Sequence, residues 1–118
     1  MIEDWNDSEY CLVAVKRDGY ALQYVKEQTF EMCLEAVKQN GYSLKFVKEQ
    51  THEICLEAVK QNGNALEYVK EQTPLIIHYL KKYNISIYSL FKKDNRIAIS
   101  ENEMKKFYNE NPHLLLTL

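Results

Sequence analysis

Nine letters, "CLEAVKQNG", stand at Cys33 to Gly41 and again at Cys55 to Gly63, and a looser copy, "CLVAVKRDG", runs from Cys11 to Gly19. Set at an interval of 22, the chain reads "DSEYCLVAVKRDGYALQYVKEQ" over 7–28, "TFEMCLEAVKQNGYSLKFVKEQ" over 29–50 and "THEICLEAVKQNGNALEYVKEQ" over 51–72. The second and third copies agree at 16 of 22 positions. Fidelity of this kind at a fixed period marks an array whose units bury their apolar faces against one another. Nothing else in the sequence restricts the fold as strongly.

Each copy opens on a helix-start signal. Asp7, Thr29, Thr51 and then Thr73 offer a side-chain oxygen to the free N–H groups of a first turn, and Pro74 suits a first helical position. Glu9, Glu31 and Glu53 follow near the positive helix end. At mid-copy, "DG" or "NG" places Gly19, Gly41 and Gly63 where a left-handed residue would end the first helix. Met32, Cys33, Leu34, Ala36 and Val37 form an apolar arc at helical phase, and Tyr42, Leu44, Phe46 and Val47 form a second. The unit reads as two short helices. An Asn-Gly hairpin between strands is the weaker alternative, because "EICLEAVKQ" lacks period-two alternation and is built of helix formers.

The expected fold is all-α: short αα-hairpins of period 22 stacked as a small right-handed-type solenoid within a single domain, 1–118. Residues 73–95 read as a degenerate fourth copy, with Ile77 at the cysteine phase. Residues 96–118 read as an atypical C-terminal cap, in which Ser100 and Glu103 form a capping box for a helix to about Asn109. The tail "HLLLTL" is expected to dock on the open end of the stack. "ISIYSLF" and "RIAIS" around "KKDN" offer a small hairpin instead of helix over 85–100.

The "LEAVKQNGxALxYVKEQ" pattern, at Leu34 to Gln50 and Leu56 to Gln72, resembles the repeat of domain of unknown function 4116, which occurs in giant viruses of amoebae and in some bacteria and protists. The likeness covers Asp7 to Gln72 and extends weakly to about Asn95. It implies helical repeats and a giant-virus origin, in keeping with a Lys, Asn, Ile and Tyr-rich composition, and brings no catalytic residue to transfer.

Little in the chain points to chemistry. Net charge is -2 with 15 basic and 17 acidic residues, so there is no global attraction for phosphate or an anionic bilayer. No run approaches 18 apolar residues and "MIEDWNDSEY" has no leader character, which reads as a protein of the cytoplasm, of the host cell or the virion. Three aligned cysteines, Cys11, Cys33 and Cys55, would suit a soft metal, but their apolar phase reads as packing, and no metal or cofactor is expected. His52, His78 and His113 have no companion ligands at useful spacing, and no nucleophile-base-orienter set or Gly-rich phosphate loop is present. The chain is read as no enzyme.

The leading expectation is binding of a protein partner through letters that differ between copies: Tyr20, Gln23, Tyr42, Lys45, Asn64 and Glu67. An alternative is nucleic acid along a lysine stripe, Lys26, Lys48, Lys70 and Lys92, with Lys16, Lys38, Lys60 and Lys82 as a second ladder; Glu27, Glu49 and Glu71 offset the first. A third is a structural or self-associating virion component; apart from that reading, the expected state is a monomer or weak self-association.

Overall fold

The computed structural model describes residues 3–82 and 97–117. Its packing divides into two compact units, Met1–Val69 and Lys70–Leu118. Among the described residues every regular element is a helix.

In the first unit, α1 (Ser8–Arg17), α2 (Phe30–Gln39) and α3 (His52–Gln61) are each ten residues long. Their starts follow from the side chains that precede them. Asp7 accepts from the N–H groups of Glu9 and Tyr10, Thr29 from Met32, and Thr51 from Ile54. Each α-helix is followed by a six-residue 3-10 helix: η1 (Gly19–Tyr24), η2 (Gly41–Phe46) and η3 (Gly63–Tyr68). Neighbours pack in order, α1 on α2 on α3, and η1 on η2 on η3. The core runs between the two rows and contains Val15, Leu22, Ala36, Val37, Leu44, Ile54, Ala58, Val59 and Leu66.

Two expectations about the turn are corrected. The second element is a 3-10 helix and no left-handed glycine ends the first. Asp18, Asn40 and Asn62 are extended, with φ of -146°, -152° and -151°. Each serves twice: its backbone N–H closes the α-helix on Ala14, Ala36 or Ala58, and its side-chain oxygen caps the next helix through the N–H of Tyr20, Tyr42 or Asn64. The capped segment is short and tied at its far end by the Val25, Val47 and Val69 N–H groups, which keeps it in the tighter i to i+3 form.

Close approach explains Gly19 and Gly41 instead. A Cβ on Gly19 would lie 2.4 Å from the Ala36 carbonyl oxygen, and one on Gly41 would lie 2.5 Å from that of Ala58. These two turns are pressed against the backbone of the following copy's α-helix.

Ser43 is fully buried and its hydroxyl has no hydrogen-bond partner, whereas Ala65 holds the same register in the next copy and is equally buried. An unsatisfied buried hydroxyl costs about 1–3 kcal/mol. Ser43→Ala is expected to raise stability by about 1 kcal/mol, read as a higher urea midpoint at unchanged slope.

In the second unit, α4 (Pro74–Lys82) buries Ile76, Ile77, His78 and Leu80, and Thr73 accepts from the Ile76 N–H. Helix α5 (Glu101–Glu110) begins at Ser100, whose hydroxyl accepts from the Glu103 N–H and donates to its carboxylate, the expected capping box. A 3-10 helix, η4 (Pro112–Thr117), follows. The tail departs from expectation: Leu115 is 51% exposed and Leu116 88% exposed, so these two side chains do not dock. The proposed hairpin and most of the degenerate fourth copy beyond Lys82 fall on residues 83–96, outside the described residues, as does Lys92.

Candidate functional site

The six residues singled out for partner binding fall at two register positions of the 3-10 helices. Tyr20, Tyr42 and Asn64 are second in η1, η2 and η3; Gln23, Lys45 and Glu67 are fifth. Gln23, Lys45, Asn64 and Glu67 are exposed, as the sequence suggests, but Tyr20 and Tyr42 are half-buried. Their rings are engaged across copies. Tyr20 meets Phe46 edge-on at 5.9 Å between centroids, and Tyr42 meets Tyr68 likewise at 6.1 Å. Trp5 completes the series by stacking 5.2 Å from Tyr24.

Tyr24, Phe46 and Tyr68 are thus the residues sequence reasoning missed. Their signal was a slot that holds an aromatic in every copy, read only as part of an apolar arc. The result is a ladder of aromatic pairs along the row of 3-10 helices, each pair joining one copy to the next.

Charge is distributed unevenly on this ladder. The Lys45 ammonium lies 4.9 Å from the Phe46 ring centre and 5.6 Å from that of Tyr20. Glu67 occupies the same position in the third copy. The Tyr68 hydroxyl hydrogen-bonds to its carboxylate, which is the main cause of a raised phenol pKa, with desolvation and the Glu67 charge adding to it.

The lysine stripe is differently arranged. Lys26, Lys48 and Lys70 are exposed, and the Lys48 ammonium donates to the Lys26 carbonyl at 2.7 Å. In the second ladder Lys60 pairs with Glu57 at 3.7 Å on the surface. An open cleft of about 320 Å³ beside Lys26 and Lys48 is also lined by Glu27 and Glu49, so carboxylates offset its cations.

The cysteines pack, as their phase predicts, and they also donate hydrogen bonds. Cys33 Sγ lies 3.5 Å from Gln28 Oε1, Cys55 Sγ lies 3.3 Å from Gln50 Oε1, and Cys11 Sγ lies 3.3 Å from the Trp5 carbonyl. The same glutamines reach forward, Gln28 donating to the Phe46 carbonyl and Gln50 to that of Tyr68, both at 2.7 Å. Gln28 Oε1 also accepts from the Lys48 N–H at 3.0 Å. Burial pushes the Cys33 thiol up to about 11. At pH 8 only about one thiol in a thousand is then ionised, so alkylation of Cys33 by iodoacetamide is expected to be at least ~100-fold slower in the native protein than in urea. Among the described residues no three His, Cys, Asp or Glu side chains converge as a metal site.

His78 is buried in α4, with Nδ1 2.9 Å from the Tyr108 hydroxyl of α5. Desolvation first, and then Lys82 and Lys81, lower its pKa. The unfolded chain therefore binds a proton at a higher pH than the native one. Stability from the neutral ring is complete above the unfolded value, about 6.5, and is lost as pH falls from there through the native value. Amide exchange in α4 and α5 is expected to quicken between pH 7.5 and 5.5, after correction for intrinsic rates, and His78→Gln should remove most of that dependence.

Short helices packed consecutively in two rows, joined by side chains that reach from copy to copy, define an all-helical protein of repeat-like build. The chain belongs to the family described as Domain of unknown function (DUF4116), which matches residues 7–51 and 29–92. No curated protein and no solved structure matches it. Among the described residues no helix is long and apolar enough to cross a membrane.

Proposed function

We propose that this chain is a non-enzymatic interaction module, a small right-handed solenoid of period-22 copies that binds another protein along its row of 3-10 helices. The observation that carries this reading is the aromatic ladder. Half-buried tyrosines held edge-on by neighbours are preorganised, so little side-chain entropy is lost when a partner covers them, and tyrosine is enriched where binding energy concentrates. Around the rings stand Gln23, Lys45, Asn64 and Glu67, exposed and different in every copy, which is where specificity would reside. The setting we favour is the cytoplasm of a host cell or a virion, in line with a giant-virus origin.

Co-purification tests this with a Gln23→Ala, Lys45→Ala, Glu67→Ala triple variant, whose substitutions leave the core untouched. Loss of the partners retained by the natural chain supports the surface; retention of the same set sinks it. Nucleic-acid binding along Lys26, Lys48 and Lys70 is less well supported, since Lys48 is tied to backbone and carboxylates flank the stripe. Titration with short RNA and DNA at low salt is expected to give no saturable binding.

A further inference from the structure

Successive copies allow a comparison within one molecule. Asp18, Asn40 and Asn62 hold the same register and the same extended backbone, with ψ of 109°, 112° and 112°. Each also makes the same cap, a side-chain oxygen 3.0 Å from the N–H of the second residue on. The first copy therefore builds with a carboxylate the turn that the later copies build with an amide. A glycine follows each asparagine, and with no side chain to shield it the glycine nitrogen can attack the amide carbon of the asparagine before it. The letters from Cys33 to Gly41 repeat from Cys55 to Gly63, so the two Asn-Gly pairs share one intrinsic reactivity. Their surroundings differ. The Gly41 N–H donates to Gln61 Oε1 of the following copy at 2.5 Å. The residue one period beyond Gln61 is Tyr83, and among the described residues no group accepts from the Gly63 N–H.

We infer that Asn62 is a site of spontaneous deamidation in the folded protein, and that Asn40 is its protected twin, guarded by Gln61. The Gly63 nitrogen, its proton given up to solvent base, attacks Asn62 Cγ. An N–Cγ bond forms, the Cγ–Nδ2 bond breaks, and Nδ2 leaves as ammonia with a proton taken from water. Water then opens the cyclic imide. Addition at Cγ restores the main chain with an aspartate in place of Asn62, and addition at the backbone carbonyl carbon diverts the chain through Cβ as isoaspartate. Water is the only co-reactant and nothing is oxidised or reduced. At ψ of 112° the Gly63 nitrogen is turned away from the Asn62 side chain, so the ring closes only when ψ rotates and Oδ1 leaves the Asn64 N–H. That motion is a local opening of the turn, and in the second copy it must also break the bond to Gln61. Aspartate fits the turn on the precedent of Asp18 and adds a negative charge two residues from Asn64. Isoaspartate lengthens the backbone by one carbon and withdraws the cap.

The inference is independent of the binding surface. The full chain is held in mildly alkaline buffer, folded and in urea, and the tryptic peptides carrying Asn40 and Asn62 are followed by mass spectrometry. Each folded rate is divided by the rate of the same residue in urea, which removes what the flanking letters contribute. Asn62 is expected to convert about fivefold faster than Asn40 on this scale, the factor that one hydrogen bond of ordinary strength supplies. Gln61→Ala should bring the ratio close to one, whereas Gln61→Glu, whose carboxylate still accepts from the Gly41 N–H, should preserve it. Both asparagines lie in one compact unit, so a general loosening would raise the two rates together and leave the ratio alone. Asn62→Asp should unfold at an unchanged urea midpoint, as the Asp18 turn implies. No conversion of folded Asn62 by the time the urea sample is complete, equal scaled rates in the natural chain, an unchanged ratio in Gln61→Ala, a ratio lost in Gln61→Glu, or a clearly lower midpoint in Asn62→Asp would each overturn the inference.

Discussion

Gly41→Ala is expected to destabilise the first unit by about 2–3 kcal/mol, a size typical of overpacking into rigid surroundings. The added Cβ would sit 2.5 Å from the Ala58 carbonyl oxygen, 3.0 Å from Gln61 Oε1 and 3.1 Å from Asn62 Cβ. The first of these is backbone inside α3 and cannot swing aside. Gln61 Oε1 also accepts from the Gly41 N–H at 2.5 Å, so moving the turn outward would stretch a hydrogen bond between copies. The control that separates close approach from a left-handed turn is Gly41→Asn. Asparagine is tolerated where positive φ is needed, yet here it should be at least as damaging as alanine. Urea unfolding followed by circular dichroism measures both, and a loss below about 0.5 kcal/mol for either would refute the close-approach account.

Gln28→Ala is expected to cost about 2–3 kcal/mol, more than its partial exposure suggests. Its amide satisfies the Phe46 carbonyl and the Lys48 N–H of the next copy while accepting from Cys33 in its own surroundings. Truncation orphans the part-buried Phe46 carbonyl and takes the acceptor from the Cys33 thiol, each at about 1 kcal/mol, while the exposed Lys48 N–H turns to water at less cost. Gln28→Glu is the sharper variant. A carboxylate still accepts from Lys48 N–H and Cys33 but sets negative charge against the Phe46 carbonyl, so it should recover only part of the loss at pH 7 and more at pH 4. Equal stability of Gln28→Ala and the natural chain would mean that the glutamine bridges contribute nothing.

The two variants also show what was legible beforehand. Helix starts at Thr29, Thr51 and Ser100 were readable because a cap acts on an N–H three residues away, and the phase of Cys33 and Cys55 gave their burial directly. The six candidate contacts were placed on the right elements, since variation on exposed register positions needs no structure to notice. What escaped was everything that depends on a neighbour 17 to 26 residues away: the Gln28 bridge to Phe46, the Tyr20 ring on Phe46, and the Gly19 turn pressed on Ala36. Sequence spacing says that copies stack but not which atoms of one meet the next. Gln28 therefore drew no role from the sequence, and Tyr20 looked like a free hand rather than one already holding its neighbour.

Trp5 shows how few requirements each copy makes of what precedes it. Its carbonyl gives Cys11 the acceptor that Gln28 gives Cys33, and its ring gives Tyr24 the neighbour that Tyr20 gives Phe46. One residue of unrelated sequence supplies two of the contacts that a preceding unit makes elsewhere. Two of the links between copies, an acceptor for a buried thiol and a ring for an exposed aromatic, are thus met by a single residue outside the repeat, so the first copy needs no full unit before it to satisfy them, and the exposed positions are free to diverge.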